Sequence, residues 1–139
     1  MSFVKIWIHL VWSTKNREAN LIEGIRQKVF DHIRENGKEK EIFIDFIGGH
    51  IDHIHCLISL GKGQEIETVV QLIKGESSHW INKNNLTKRK FVWQDDYFGV
   101  SVSPDVVDKV RKYIANQEEH HKTKSFDDEF NDFLKRARF

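Results

Sequence analysis

Residues 42–60, IFIDFIGGHIDHIHCLISL, hold two apolar runs separated by a glycine-marked turn. The first, Ile42 to Ile47, runs into Gly48-Gly49, and the second, His53 to Leu60, ends at Gly61-Lys62-Gly63. Short apolar runs bounded by such turn residues read as strands, and strands joined this closely pair antiparallel. Upstream, residues 3–12 alternate strictly, with Val4, Ile6, Ile8, Leu10 and Trp12 on one face of a further strand. Between these strands, Ile22, Ile25, Val29 and Ile33 recur at helical spacing from Leu21 to Asn36, with Gly37 as the expected stop. Downstream, a long helix from about Glu65 to Asn84 carries Ile66, Val69, Val70, Ile73, Ser77, Trp80 and Ile81 on its inner side. Phe91–Trp93 and Phe98–Val102 read as two short strands around Asp95-Asp96. Ser103-Pro104 then starts a helix over about 104–120. Ser125, with Asp128 three residues on, starts a last helix over about 126–138. The order predicts an α+β, ferredoxin-like βαββαβ sandwich with an antiparallel sheet and added C-terminal helices, forming one domain over residues 1–139.

The bulk composition agrees with a globular chain. Of 139 residues, 39% are hydrophobic and 31% charged, enough for one sizeable core and too few residues for two ordinary ones. No run approaches the roughly 18–20 apolar residues needed to cross a bilayer. The N-terminal residues alternate rather than forming a signal-peptide core, so the expected location is cytoplasmic. The single cysteine, Cys56, excludes an intramolecular disulfide and a cysteine-based zinc cluster. A net charge of +1 leaves nucleic-acid binding to local basic patches.

Two groups of residues carry chemistry. In His53-Ile54-His55 the strand period of two sends both imidazoles to one face, where they can chelate a divalent cation if a third ligand arrives from elsewhere. Taken alone, such a pair is more often two exposed or hydrogen-bonded histidines than a metal site. Tyr113 and Gln117 are i and i+4 on one helix face, in line with Val106 and Val110. Tyr113 alone reads as a core aromatic, but a glutamine continuing an apolar stripe needs a polar partner, and a metal ion is one.

Considered together, the residues resemble a known family. His9 to Lys15 (HLVWSTK), Asp52 to His55 with Leu57-Ile58, Gln71 to Gly75 (QLIKG), Phe91 with Trp93-Gln94, Ser101 to Ser103, Tyr113-Ile114 with Asn116-Gln117, and His120-His121 are similar, in order, to the HUH single-tyrosine transposases of the smallest bacterial insertion sequences. This resemblance implies a metal-dependent enzyme in which His53, His55 and Gln117 hold Mg²⁺ or Mn²⁺. Tyr113 would attack a DNA phosphate, leaving a 5′-phosphotyrosine and a free 3′-OH that can be rejoined without ATP. It also implies a homodimer, in which the tyrosine helix of one subunit can serve the histidine pair of the other, and single-stranded DNA hairpins as the substrate.

Candidate DNA contacts are Lys15 and Arg17 after the first strand, Lys74 on the long helix, and Lys83, Lys88, Arg89 and Lys90 in the basic loop. Trp80 and Trp93 are candidates for stacking on bases, against the plainer reading as core. No dedicated base for Tyr113 stands out among His50, Asp52 and His120. The alternative class is a non-catalytic single-strand-binding module of the same fold, which leaves the histidine pair and Gln117 unexplained. A histidine phosphoesterase is disfavoured by the three-then-two spacing of His50, His53 and His55.

Overall fold

The computed structural model describes residues 1–139. Strands β1 (Ile6–Ser13), β2 (Phe43–Gly49), β3 (His53–Leu60) and β4 (Phe98–Val102) form one sheet in the order β2-β3-β1-β4. All neighbours are antiparallel, with Ile6 opposite Leu60, Phe43 opposite Ser59 and Trp7 opposite Val102. Helices α1 (Arg26–Glu39) and α2 (Ile66–Lys83) join them in the expected βαββαβ order. No helix is long and apolar enough to cross a membrane.

Period-2 alternation splits each central strand between two layers. Ile8, Leu10 and Trp12 of β1 and Ile54, Cys56 and Ile58 of β3 meet Val29, Phe30 and Ile33 of α1 and Val69, Val70 and Ile73 of α2 in the main core. The opposite face is also covered. Trp7 and Leu57 pack on Val107 and Ile114 of α3 (Val107–Ala115), while Val11 and Phe98 pack on Phe126 of α5 (Phe126–Arg136). Fully burying one such phenylalanine stabilises the fold by about 2–3 kcal/mol. The C-terminal helices thus form a third layer over the second face of the sheet.

Several boundaries differ from the sequence expectation. Gly37 lies inside α1 rather than ending it; a Cβ there would come within 2.9 Å of Ile44 Cδ1, so this glycine serves close helix–strand packing. Phe91–Trp93 is not a strand, since only Trp93 bridges, to Thr14. Val4 projects beyond the sheet and is exposed. The expected tyrosine helix over 104–120 is broken: a 3-10 turn at Pro104–Val106 leads into α3, and Asn116 (φ −96°, ψ 17°) separates α3 from α4 (Gln117–His120). Asn116 N–H is shared between the carbonyls of Lys112 and Tyr113, which tightens that turn. Ser125 caps α5 as expected, its hydroxyl accepting from Asp128 N–H.

Gly48 fixes how closely α3 approaches the sheet. A Cβ at this position would lie 2.8 Å from both Ile114 Cγ2 and the Ile114 carbonyl oxygen, and the backbone atom cannot yield without moving the helix. Gly48→Ala is therefore expected to cost about 1–3 kcal/mol of stability in denaturant unfolding. An unchanged unfolding midpoint would mean that α3 is free to shift.

Candidate active site and metal centre

The strand period puts His53 and His55 on the face of β3 turned toward the C-terminal helices, and both are fully buried. α3 brings Tyr113 over the same face, its ring centroid 5.7 Å from that of His55. The break at Asn116 preserves the approach of Gln117, whose Oε1 lies 2.8 Å from His53 Nε2. These four residues meet within a single chain.

Glu129 of α5, which sequence reasoning missed, ties the group together. Only 2% exposed, it accepts a short hydrogen bond from the Tyr113 hydroxyl and another from Gln117 Nε2 at 3.1 Å, both on Oε2. Its Oε1 lies 3.1 Å from His55 Nε2 and 3.4 Å from His53 Nε2. His120 and His121 bring Nε2 atoms to 3.1 and 3.3 Å from Oε2. The His120 approach is too oblique for a hydrogen bond, leaving a buried ring nitrogen without a partner. Phe126 stacks on His53 at 4.3 Å between centroids, and the Phe133 ring stands edge-on to His55 and Tyr113.

Proton accounting tests whether a cation fits here. His53 Nδ1 is 2.8 Å from Asp52 Oδ1, so its N–H points at that carboxylate and the Nε2 lone pair faces inward. That lone pair meets Gln117 Oε1 and Glu129 Oε1, neither of which has a proton to give. His55 Nδ1 is paired with His9 Nε2 at 2.9 Å, and its Nε2 points toward the same carboxylate. The ligand atoms of His53, His55 and Glu129 all lie within 4.8 Å of one another. Neighbouring donors about 2.1 Å from an octahedral ion stand about 3 Å apart, matching these separations. The His/His/Glu group could therefore bind a metal ion, with the Gln117 carbonyl oxygen beside it.

The electrostatics follow from burial and charge. Burial opposes ionisation of Glu129, but hydrogen bonds from His121 and His55 overcome it and hold the carboxyl far below the usual range. The anion in turn acts on Tyr113: burial, then the Glu129 carboxylate, push the phenol well above 10. Burial pulls His55 down to about 4 and His9 to about 3, so both stay neutral near pH 7. His9 was read only as part of the HLVWSTK segment; the structure shows it buried and bonded to a candidate ligand.

The candidate DNA contacts divide. Lys15, Lys83, Lys88, Arg89 and Lys90 are exposed. Arg17 instead forms an ion pair with Asp127 and lies over the Phe126 ring, joining the first strand to α5. Lys74 donates to the carbonyl oxygens of Asp95 and Asp96 at 3.0 and 3.3 Å and also to that of Gln94, bracing the 94–96 loop. Trp93 is buried and donates to Ser77 Oγ at 2.9 Å, as a core residue does. Trp80 is half-buried and stacks on His32 at 4.0 Å.

Comparison with known proteins gives a consistent picture. A family model described as "Transposase IS200 like" matches residues 2–117, which include His53, His55, Tyr113 and Gln117 but not α5 or Glu129. No curated protein matches the chain significantly. Among solved structures, a chain from Deinococcus radiodurans R1 assigned as a transposase superposes with a TM-score of 0.68 at 22% identity, covering 84% of this chain and 93% of that one. A REP-associated tyrosine transposase bound to a REP hairpin superposes with a TM-score of 0.66 at 17% identity, covering 87% and 72% respectively. At these identities the two structures speak to the fold.

Proposed function

The chain belongs to the IS200-like transposase family, and from that premise we propose that residues 1–139 act as one cytoplasmic transposase domain that cleaves and rejoins single-stranded DNA through Tyr113. The observation that carries the proposal is the convergence of His53, His55 and Gln117 beside the Tyr113 hydroxyl, together with a His53 Nε2 lone pair that faces the oxygens of Gln117 and Glu129.

The Tyr113 oxygen attacks a scissile phosphorus. The new bond is tyrosine oxygen to phosphorus; the bond broken is phosphorus to the 3′ oxygen, which leaves with a proton to balance the one lost by the phenol. The product keeps the phosphodiester energy as a 5′-phosphotyrosine, so a later 3′-OH can reverse the step. His53, His55 and Gln117 would hold Mg²⁺ or Mn²⁺, which supplies charge neutralisation at the scissile phosphate. Asp52 and His9 orient the two histidines by occupying their Nδ1 atoms.

Hairpin DNA is the proposed substrate, by analogy with the relative bound to a REP hairpin. Exposed Lys15, Lys83, Lys88, Arg89 and Lys90 remain as phosphate contacts. A homodimer is proposed as well, in which the tyrosine helix serves the histidine pair of its own chain or of the other subunit. The test is retention of 3′-end-labelled DNA on denatured protein after incubation with a single-stranded hairpin from the flanks of its own gene. Label retention is expected with Mn²⁺ and its loss with EDTA; retention unaffected by EDTA would sink the metal-dependent reading.

A further inference from the structure

The first observation is access. His53 and His55 are 0% exposed, Gln117 1% and Glu129 2%, so no DNA phosphate can reach the proposed ligands while α5 lies where it does. α5 contributes directly to that cover, through Phe126 stacked on His53 and Phe133 against His55 and Tyr113.

The second observation is what α5 inserts. A carboxylate is a planar anion with two acceptor oxygens, the feature it shares with two non-bridging oxygens of a phosphodiester. Glu129 directs Oε1 at the histidine pair and Oε2 at the Tyr113 hydroxyl, Gln117 Nε2 and the Nε2 atoms of His120 and His121. An anion held between a nucleophile and a metal-ligand pair occupies the position a scissile phosphate needs. His120 Nε2 is buried and without a hydrogen bond, a ring nitrogen that the carboxylate leaves unsatisfied and a larger anion could reach.

We propose that the groups around Glu129 form the scissile-phosphate subsite, with His120 and His121 as added anion donors, and that Glu129 occupies it as an internal substitute which DNA must displace by lifting α5. The inference rests on the strand-transfer reading above. Lifting requires a pivot, and residues 121–125 between α4 and α5 are free of regular helix or strand. It also requires parting the exposed Arg17–Asp127 ion pair, a weak tie in water, and the half-buried Lys124–Asp132 pair. The apolar contacts of Phe126, Phe130 and Phe133 set the cost of opening.

The experiment compares Tyr113→Phe with Tyr113→Phe/Glu129→Gln and Tyr113→Phe/Glu129→Ala, so that nothing is cleaved. Binding of a random-sequence single-stranded 30-mer is measured with saturating Mn²⁺. Loss of the carboxylate is expected to tighten binding at least tenfold, whereas Tyr113→Phe/Glu35→Gln, which removes an exposed charge on α1, should stay within twofold. Amide exchange across 126–136 should speed up at least tenfold when DNA saturates the single variant. In the otherwise native chain, Glu129→Gln should raise the initial rate of adduct formation. Unchanged affinity in both folded Glu129 variants, α5 amides equally protected with DNA bound, or a tenfold fall in adduct rate would each overturn the inference. Absence of an adduct from every protein, with the affinity gain present, would count against the catalytic reading alone.

Discussion

Tyr113→Phe is expected to form no covalent adduct with single-stranded DNA, a loss of at least about a thousandfold in the rate of label transfer. The substitution removes one atom from the centre of the proposed chemistry and little else. The ring keeps its edge contacts with His9, His55, His120 and Phe133, whose centroids lie 5.5 to 6.3 Å away. Glu129 loses one donor but keeps Gln117 and its approaches to His55 and His121. The stability cost should therefore be about 1–2 kcal/mol, that of a single hydrogen bond to a charged acceptor. Near-native folding and hairpin binding within a few-fold of the original, with no adduct, is the expected combination. An adduct that survives would pass the nucleophile to another group, and a collapse of binding would make the tyrosine a structural residue.

The parts of this design that were legible in the sequence are those set by a simple period. The turn at Gly48-Gly49 and the alternation in β1 and β3 gave the antiparallel sheet, and the H-x-H spacing gave two imidazoles on one face. Gln117 was recognisable because a polar side chain on an apolar helical stripe needs a partner. The same rule applies to Glu129, which falls between Phe126 and Phe133 on the buried side of α5. Its signal was hidden by its neighbours: Asp127-Asp128-Glu129 also reads as the acidic first turn that a helix dipole favours. His9 was obscured differently. Attention to the Ile8–Leu10–Trp12 face left Trp7, His9 and Val11 as the outer side, although two large apolar residues there imply a second covering layer. Charges were least legible, since nothing local distinguishes exposed Lys15 from Lys74, which the fold commits to loop carbonyls.

Replacing His53 or His55 by alanine should lower Mn²⁺ affinity at least about a hundredfold, with the fold retained. Each substitution removes a neutral nitrogen ligand from a buried site and leaves its orienting partner, Asp52 or His9, without a ring to hold. The orienting residues allow a graded test. Asp52→Asn keeps both histidines but weakens the acceptor on His53 Nδ1, so an intermediate loss of about tenfold is expected. Mn²⁺ electron paramagnetic resonance reads these affinities without DNA or turnover, with circular dichroism as the check on folding. A site that merely packs two histidines would show no such order, and its metal-free stability would respond more than its Mn²⁺ binding. Equal Mn²⁺ affinity in the original chain, His53→Ala and His55→Ala would remove the metal centre from this face of the sheet. The acceptor atoms of His53, Gln117 and Glu129 would then need another partner.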